Sequence, residues 1–127
     1  MNKGYDKYVK NSVVHTPKEK LVILLVDGLV KNYKIALKAF DGNDIEAINN
    51  SLVKAQAILG ELMASLDRSA GKWAEDLYSV YSYVKSRLFQ ANIHKDKSIL
   101  EEVGPIIEEI SETWHEIYKK VMKEKIS

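Results

Sequence analysis

The segment over residues 45–66, IEAINNSLVKAQAILGELMASL, repeats apolar residues in alternating steps of three and four. The repeated positions are Ile45, Ile48, Leu52, Ala55, Leu59, Leu62 and Leu66. Such steps average about 3.5 residues, the period at which α-helices pack side by side at a small angle. The segment therefore predicts a long helix that buries one face inside a helical bundle.

Two later segments carry the same pattern. The third helix repeats Trp73, Leu77, Val80, Val84, Leu88 and Ala91, and the fourth repeats Ile99, Val103, Ile106, Ile110, Trp114, Ile117 and Val121. Helix-start signals, a capping residue followed three positions later by an acid, occur at Thr16–Glu19, Asn43–Glu46 and Ser98–Glu101. Pro17 also suits the first helical position.

These signals predict helices from Pro17 to Phe40, Asn43 to Leu66, Lys72 to Asn92 and Ser98 to Lys123. Short turns between long helices favour antiparallel neighbours. We expect an all-α fold, an antiparallel four-helix bundle in a single domain over residues 1–127. A short N-terminal helix or segment would pack on it, with residues 1–15 mobile.

The composition excludes several classes of protein. The chain of 127 residues has no cysteine, 46% hydrophobic residues and a formal net charge of +1. The absence of cysteine excludes a disulfide framework, and the near-neutral charge gives no reason to expect nucleic acid binding. The longest apolar run, Leu21–Val26, is far shorter than the roughly 20 residues of a membrane span. We expect a cytoplasmic protein without membrane insertion.

The first long helix carries more apolar surface than a bundle needs. Leu21–Val26, with Leu29 and Val30, covers almost the whole helix circumference. The bundle core can cover only one side, so the other side requires a second cover. One candidate is the N-terminal segment with Tyr5 and Tyr8, acting as a permanent lid. The other is a groove shared with a helix of a partner protein.

The positions of tyrosine and glycine residues favour a groove that is shared with a partner helix. Tyr78, Tyr81 and Tyr83 crowd the third helix, and tyrosine suits a surface that is alternately wet and buried. Each tyrosine could equally flank the core and reach water with its hydroxyl. Asp27 interrupts the apolar run and could form a salt bridge or contact a partner. Gly28 inside a helix is easiest to explain where another helix approaches closely.

Catalytic and metal-binding patterns are weak. A di-metal bundle site needs paired Glu-x-x-His motifs, and only Glu112–His115 matches, with Glu112 pointing away from the core stripe. The spacing of Arg87 and His94 is similar to the Arg/His pair of helical ribonucleases of the HEPN type, which remains one alternative. A closed structural or adaptor bundle is another. We expect no enzyme activity, no cofactor and no metal.

Several short motifs follow one another in a defined order along the chain. Two tyrosines and an Asn precede a Thr-Pro helix start, and an apolar run and an acidic-Gly pair follow. A Lys-Ala-Gln stretch then leads to Glu-Leu and Leu-Asp. The positions are Tyr5, Tyr8, Asn11, Thr16, Pro17, Leu21–Val26, Asp27, Gly28, Lys54, Ala55, Gln56, Glu61, Leu62, Leu66 and Asp67. The later motifs are Tyr81, Tyr83, Leu88, Ala91, Asn92, Asp96, Leu100, Glu102, Val103 and Trp114. In this order and spacing, the motifs resemble those of the flagellar secretion chaperones of the FliS family.

The resemblance implies a non-enzymatic cytoplasmic chaperone. Its client would be the disordered C-terminal helical segment of flagellin, which it would keep from polymerising and help deliver to the flagellar export apparatus. Further partners would be the export gate and other flagellar regulators. The N-terminal segment would cover part of the groove until flagellin arrives. The predicted partner-binding residues are Tyr5, Tyr8, Leu21, Leu24, Leu25, Asp27, Gly28, Lys54, Gln56, Tyr78 and Tyr81.

Overall fold

The computed structural model describes residues 18–126, except for the side chains of residues 19, 125 and 126. Four long helices follow one another: α1 (Lys18–Asp41), α2 (Ile45–Ser65), α3 (Lys72–His94) and α4 (Lys97–Ile126). A short 3₁₀ helix, Arg68–Ala70, joins α2 to α3. The all-α prediction is confirmed. Thr16 and Pro17, which carry the first start signal, lie outside the described residues.

The helices form a ring around one core. Helix α1 packs against α2 and α4, and α3 packs against the same two helices. Because the connections are short, successive helices run antiparallel. The core contains fully buried side chains from every helix, including Leu29, Leu59, Leu88 and Val103. The predicted antiparallel four-helix bundle is therefore the observed architecture.

Two helix caps differ from the prediction. The cap of α2 is Asp44, whose carboxylate accepts from the backbone N–H of Ala47, while Asn43 occupies a left-handed turn position with φ 52°. Before α4, the carboxylate of Asp96 accepts from the backbone N–H and the hydroxyl of Ser98. In both cases a nearby aspartate, one residue after Asn43 and two residues before Ser98, supplies the better acceptor for the free N–H groups of the first turn.

The buried faces of α3 and α4 are rotated relative to the predicted stripes. Trp73, Val80 and Ile117 were predicted to be buried and are 57%, 36% and 37% exposed. In their place the core takes Ala74, Tyr81, Leu100 and Ile107. In α2, Ile45 is 56% exposed because it lies in the first turn, at the end of the bundle. Adjacent apolar residues such as Ile106 and Ile107 leave the rotation of a helix undetermined until its neighbours are in place.

Candidate functional site

Helix α1 has one apolar face in the core and a second facing solvent. Val22, Val26 and Leu29 are at most 5% exposed, whereas Leu21 and Leu24 are 51% and 59% exposed. Ile35, further along the outer face, is 42% exposed. Leu21, Leu24, Gly28 and Ile35 follow helical spacing, and we call them the outer stripe. The surplus apolar surface predicted for this helix is thus present and uncovered by residues 18–126.

Gly28 sits where α1 and α2 approach closely. A Cβ at this position would lie 3.1 Å from Cδ1 of Ile58 on α2, and the side-chain amide of Asn32 donates to the Gly28 carbonyl at 2.8 Å. The close helix approach predicted for Gly28 is confirmed. Lys54 is exposed and lies one turn before Ile58, on the same face of α2.

Five predicted partner-binding residues are therefore brought to the α1–α2 side of the bundle: Leu21, Leu24, Leu25, Gly28 and Lys54. Leu25 is half-buried against the core. Gln56 is half-buried, and its amide donates to the Leu52 carbonyl. Tyr5 and Tyr8 lie outside the described residues.

Asp27 projects toward α4 instead. Its Oδ1 lies 2.7 Å from Nε2 of His115, and both side chains are about half exposed. The sequence left open whether Asp27 pairs within the chain or contacts a partner, and the structure provides the internal pairing. It also gives His115 a hydrogen-bonding role between helices. Among residues 18–126, no group of three or more metal-ligating side chains occurs.

The two predicted tyrosines of α3 have different surroundings. Tyr78 is half-buried, and the Arg68 guanidinium lies 3.9 Å above its ring while bonding to Glu75 at 3.0 Å. Tyr81 is 1% exposed, and its hydroxyl accepts from the indole N–H of Trp114 at 2.7 Å. Burial raises the pKa of Tyr81 to about 12. Tyr81 is therefore a core residue that joins α3 to α4.

A second apolar surface, of which the sequence indicated only Tyr83, lies between α3 and α4. A groove of about 440 Å³ is lined mainly by Leu77, Val80, Tyr83, Ile106, Ile110 and Trp114. We call it the α3–α4 groove. Tyr83 is 48% exposed along it. The sequence analysis assigned the other groove residues, Leu77, Val80, Ile106, Ile110 and Trp114, to the core stripes, so Tyr83 was the available signal for this surface.

An apolar hollow of about 350 Å³ opens at the end of the bundle where α1 begins. Its walls include Val22, Leu62, Leu66, Trp73 and Trp114. Trp114 borders both this hollow and the α3–α4 groove. The exposed Trp73, misassigned to the core from the sequence, belongs to this rim.

The two residues of the alternative ribonuclease hypothesis, Arg87 and His94, each interact with a different neighbouring side chain. Nε of Arg87 donates to Glu102 on α4 at 2.9 Å, and Nε2 of His94 lies 3.1 Å from the side-chain oxygen of Gln90. No helix within residues 18–126 is both long enough and apolar enough to cross a membrane.

Comparison with known proteins identifies the class. The sequence profile of the family described as "Flagellar protein FliS" matches residues 1–121, and the chain belongs to this family. A relative from Bacillus subtilis strain 168, named flagellar secretion chaperone FliS, is 31% identical over 121 residues, covering 95% of this chain and 90% of the relative. The Escherichia coli K12 protein of the same name is 33% identical over 110 residues, covering 85% and 81%.

Proposed function

We propose that this chain is a flagellar secretion chaperone. In the cytoplasm it would hold the C-terminal helical segment of flagellin, prevent its premature polymerisation and aid its delivery to the export apparatus. Family membership supports the chaperone role, and flagellin is the client that the family resemblance implies. The structural observation that carries the proposal is the outer stripe of α1, which remains exposed although the four-helix core is complete.

The outer stripe suits a helical client. Leu21 and Leu24 are separated by about one turn, and Gly28, against which Ile58 of α2 packs, lies between them and Ile35. An amphipathic helix laid against such a surface buries apolar side chains from both partners, as in helix-in-groove recognition. Lys54 and the half-buried Leu25 border the same surface. The proposal also includes Asp27, Gln56 and Tyr78 as residues that contact the client outside the outer stripe.

Residues 1–15 are proposed to regulate access. In this proposal Tyr5 and Tyr8 compete with the client for the apolar surfaces near the start of α1. The bundle-end hollow supports the proposal because Lys18, the first described residue, lines it. Deleting residues 1–15 should then tighten or accelerate client binding. A closed structural bundle would respond only with lower stability.

Calorimetric titration with full-length flagellin and with flagellin lacking its C-terminal segment tests the function. We expect saturable binding to the full-length protein and at least about tenfold weaker binding to the truncated one, because the client helices have been removed. Equal binding to both proteins, or none to either, would refute the proposal. A pull-down with the complex of this chain and flagellin as bait would show whether the export gate or other flagellar regulators bind to it.

The ribonuclease alternative is not supported. Relatives in the family are named flagellar secretion chaperones, and Arg87 is bonded to Glu102 while His94 lies beside Gln90. The ribonuclease hypothesis would require that the wild-type chain cleaves RNA and that Arg87→Ala abolishes this activity.

A further inference from the structure

A row of carboxylates borders the α3–α4 groove along α4. Glu102, Glu109 and Glu116 are spaced by seven residues, which is close to two helical turns. They therefore lie in one line along the helix. Glu109 itself lines the groove, Glu102 lies one turn before Ile106, and Glu116 lies just beyond Trp114, the last lining residue of α4. On the opposite rim, Asp76 lies one turn before Val80 on α3. The groove thus has an apolar floor and acidic edges.

Most of these carboxylates lack a cationic partner. Glu102 bonds to Arg87 at 2.9 Å, and neither residue lines the groove. Glu109, Glu116 and Asp76 are exposed and form no ion pair with the other residues that the structure describes. Lys72 lies one turn before Asp76, and Lys119 and Lys120 lie within about one turn after Glu116, but none of these lysines forms an ion pair with those carboxylates.

The outer stripe has the opposite charge. Lys20, Lys31 and Lys54 are exposed near it on α1 and α2, and the nearby acids are Glu61 and Asp27, of which Asp27 is bonded to His115. Charged residues flanking an apolar seam between helices set partner choice and orientation, as the e and g positions of coiled coils do. The two apolar surfaces of this bundle therefore differ in the charge that they favour on an approaching helix.

We propose that the α3–α4 groove binds a helical segment of the client whose apolar stripe is flanked by basic residues, and that Glu109 and Glu116 select it. The inference rests on the proposed function and adds the charge of the segment bound in this groove. Two lysines or arginines seven residues apart on the bound helix would face the two carboxylates. The apolar side chains between them would enter the groove.

The test uses two synthetic three-heptad peptides with the same leucine stripe, one with lysine and one with glutamate at the flanking positions. Binding to the full-length chain is measured by calorimetry at low salt. The lysine peptide should bind at least about threefold more tightly, since two exposed ion pairs contribute a few tenths to 1 kcal/mol each. Its advantage should shrink in about 1 M salt, where the screening length is near 3 Å.

Charge reversal locates the site. The double variant Glu109→Lys/Glu116→Lys should prefer the glutamate peptide. The matched control is Glu101→Lys/Glu108→Lys, which changes two exposed carboxylates with the same spacing on the other flank of α4. The control should keep the wild-type preference, and circular dichroism should show both variants folded.

Three outcomes would overturn the inference: no binding of either peptide, equal binding of both by the wild type, or a preference that the control pair reverses as strongly as the groove pair. Flagellin titration with the same wild-type preparation separates this failure from failure of the proposed function. If the chain binds flagellin but binds both peptides equally well, only the proposed charge selection by the α3–α4 groove is refuted. Loss of flagellin binding removes the chaperone proposal.

Discussion

Truncation of the outer stripe should separate client binding from stability. Leu24 is 59% exposed in the free bundle. Complete burial of a leucine side chain contributes about 1.5–3 kcal/mol relative to full exposure. The exposed three-fifths therefore leave roughly 1–2 kcal/mol to be gained when a client helix covers Leu24. In Leu24→Ala we expect the Kd for flagellin to rise about five- to thirtyfold.

The same change should scarcely affect folding. A mostly exposed leucine contributes little to the core, and alanine is at least as good a helix former, so the free energy of unfolding should change by less than about 0.5 kcal/mol. Leu29 gives the opposite control, because it is 0% exposed on the inner face of the same helix. Leu29→Ala should cost about 2–5 kcal/mol of unfolding free energy.

The measurements are urea unfolding followed by circular dichroism, and calorimetric titration with flagellin under conditions where each variant is folded. The stronger change Leu24→Asp should weaken binding further without unfolding the bundle. Wild-type affinity of Leu24→Ala for flagellin would show that the client does not cover the outer stripe. A loss of 2 kcal/mol or more in unfolding free energy would show that Leu24 belongs to the core.

Two further predictions concern the interior. The hydroxyl of Tyr33 occupies the space that a Cβ at Gly104 would need. Gly104→Ala should therefore lower the free energy of unfolding by about 1–2 kcal/mol, although alanine has the better helix propensity. In a double-mutant cycle measured by urea unfolding, Tyr33→Phe should restore most of that loss. If the effects of the two substitutions simply add, the steric clash between Tyr33 and the new Cβ is contradicted. Because the pKa of Tyr81 is raised by burial from 10.0 to about 12, the folded state retains a proton that the unfolded state loses. Stability should fall as pH rises from 10 to 12, by up to about 2 kcal/mol, and less steeply in Tyr81→Phe; an unchanged slope would place the titration elsewhere.

The helices themselves were predictable. Alternating steps of three and four, with capping signals and short turns, placed four helices whose observed ends differ from the predicted ones by a few residues at most. The unpaired apolar side of α1 was also predictable, because a helix that is apolar all round cannot be covered by a bundle on one side. The exposed Leu21 and Leu24 confirm that argument.

The assignment of individual residues within stripes was less successful. Val80 and Trp73 were placed in the core and lie on the rims of the groove and the hollow. Tyr81 was placed among partner-binding residues and lies in the core, because Trp114 on another helix supplies a donor to its hydroxyl. A buried tyrosine needs such a partner, and the sequence does not show which indole lies beside it.

The sequence by itself determined the number, length and order of the helices and the excess of apolar surface on α1. Periodicity fixes the angle between residues within one helix, so these features are local. Only the tertiary structure decided how each helix is rotated toward its neighbours, since that rotation depends on side chains packing across helices. It thereby divided the apolar residues between core, outer stripe and α3–α4 groove, and it placed the acidic row of α4 beside the groove.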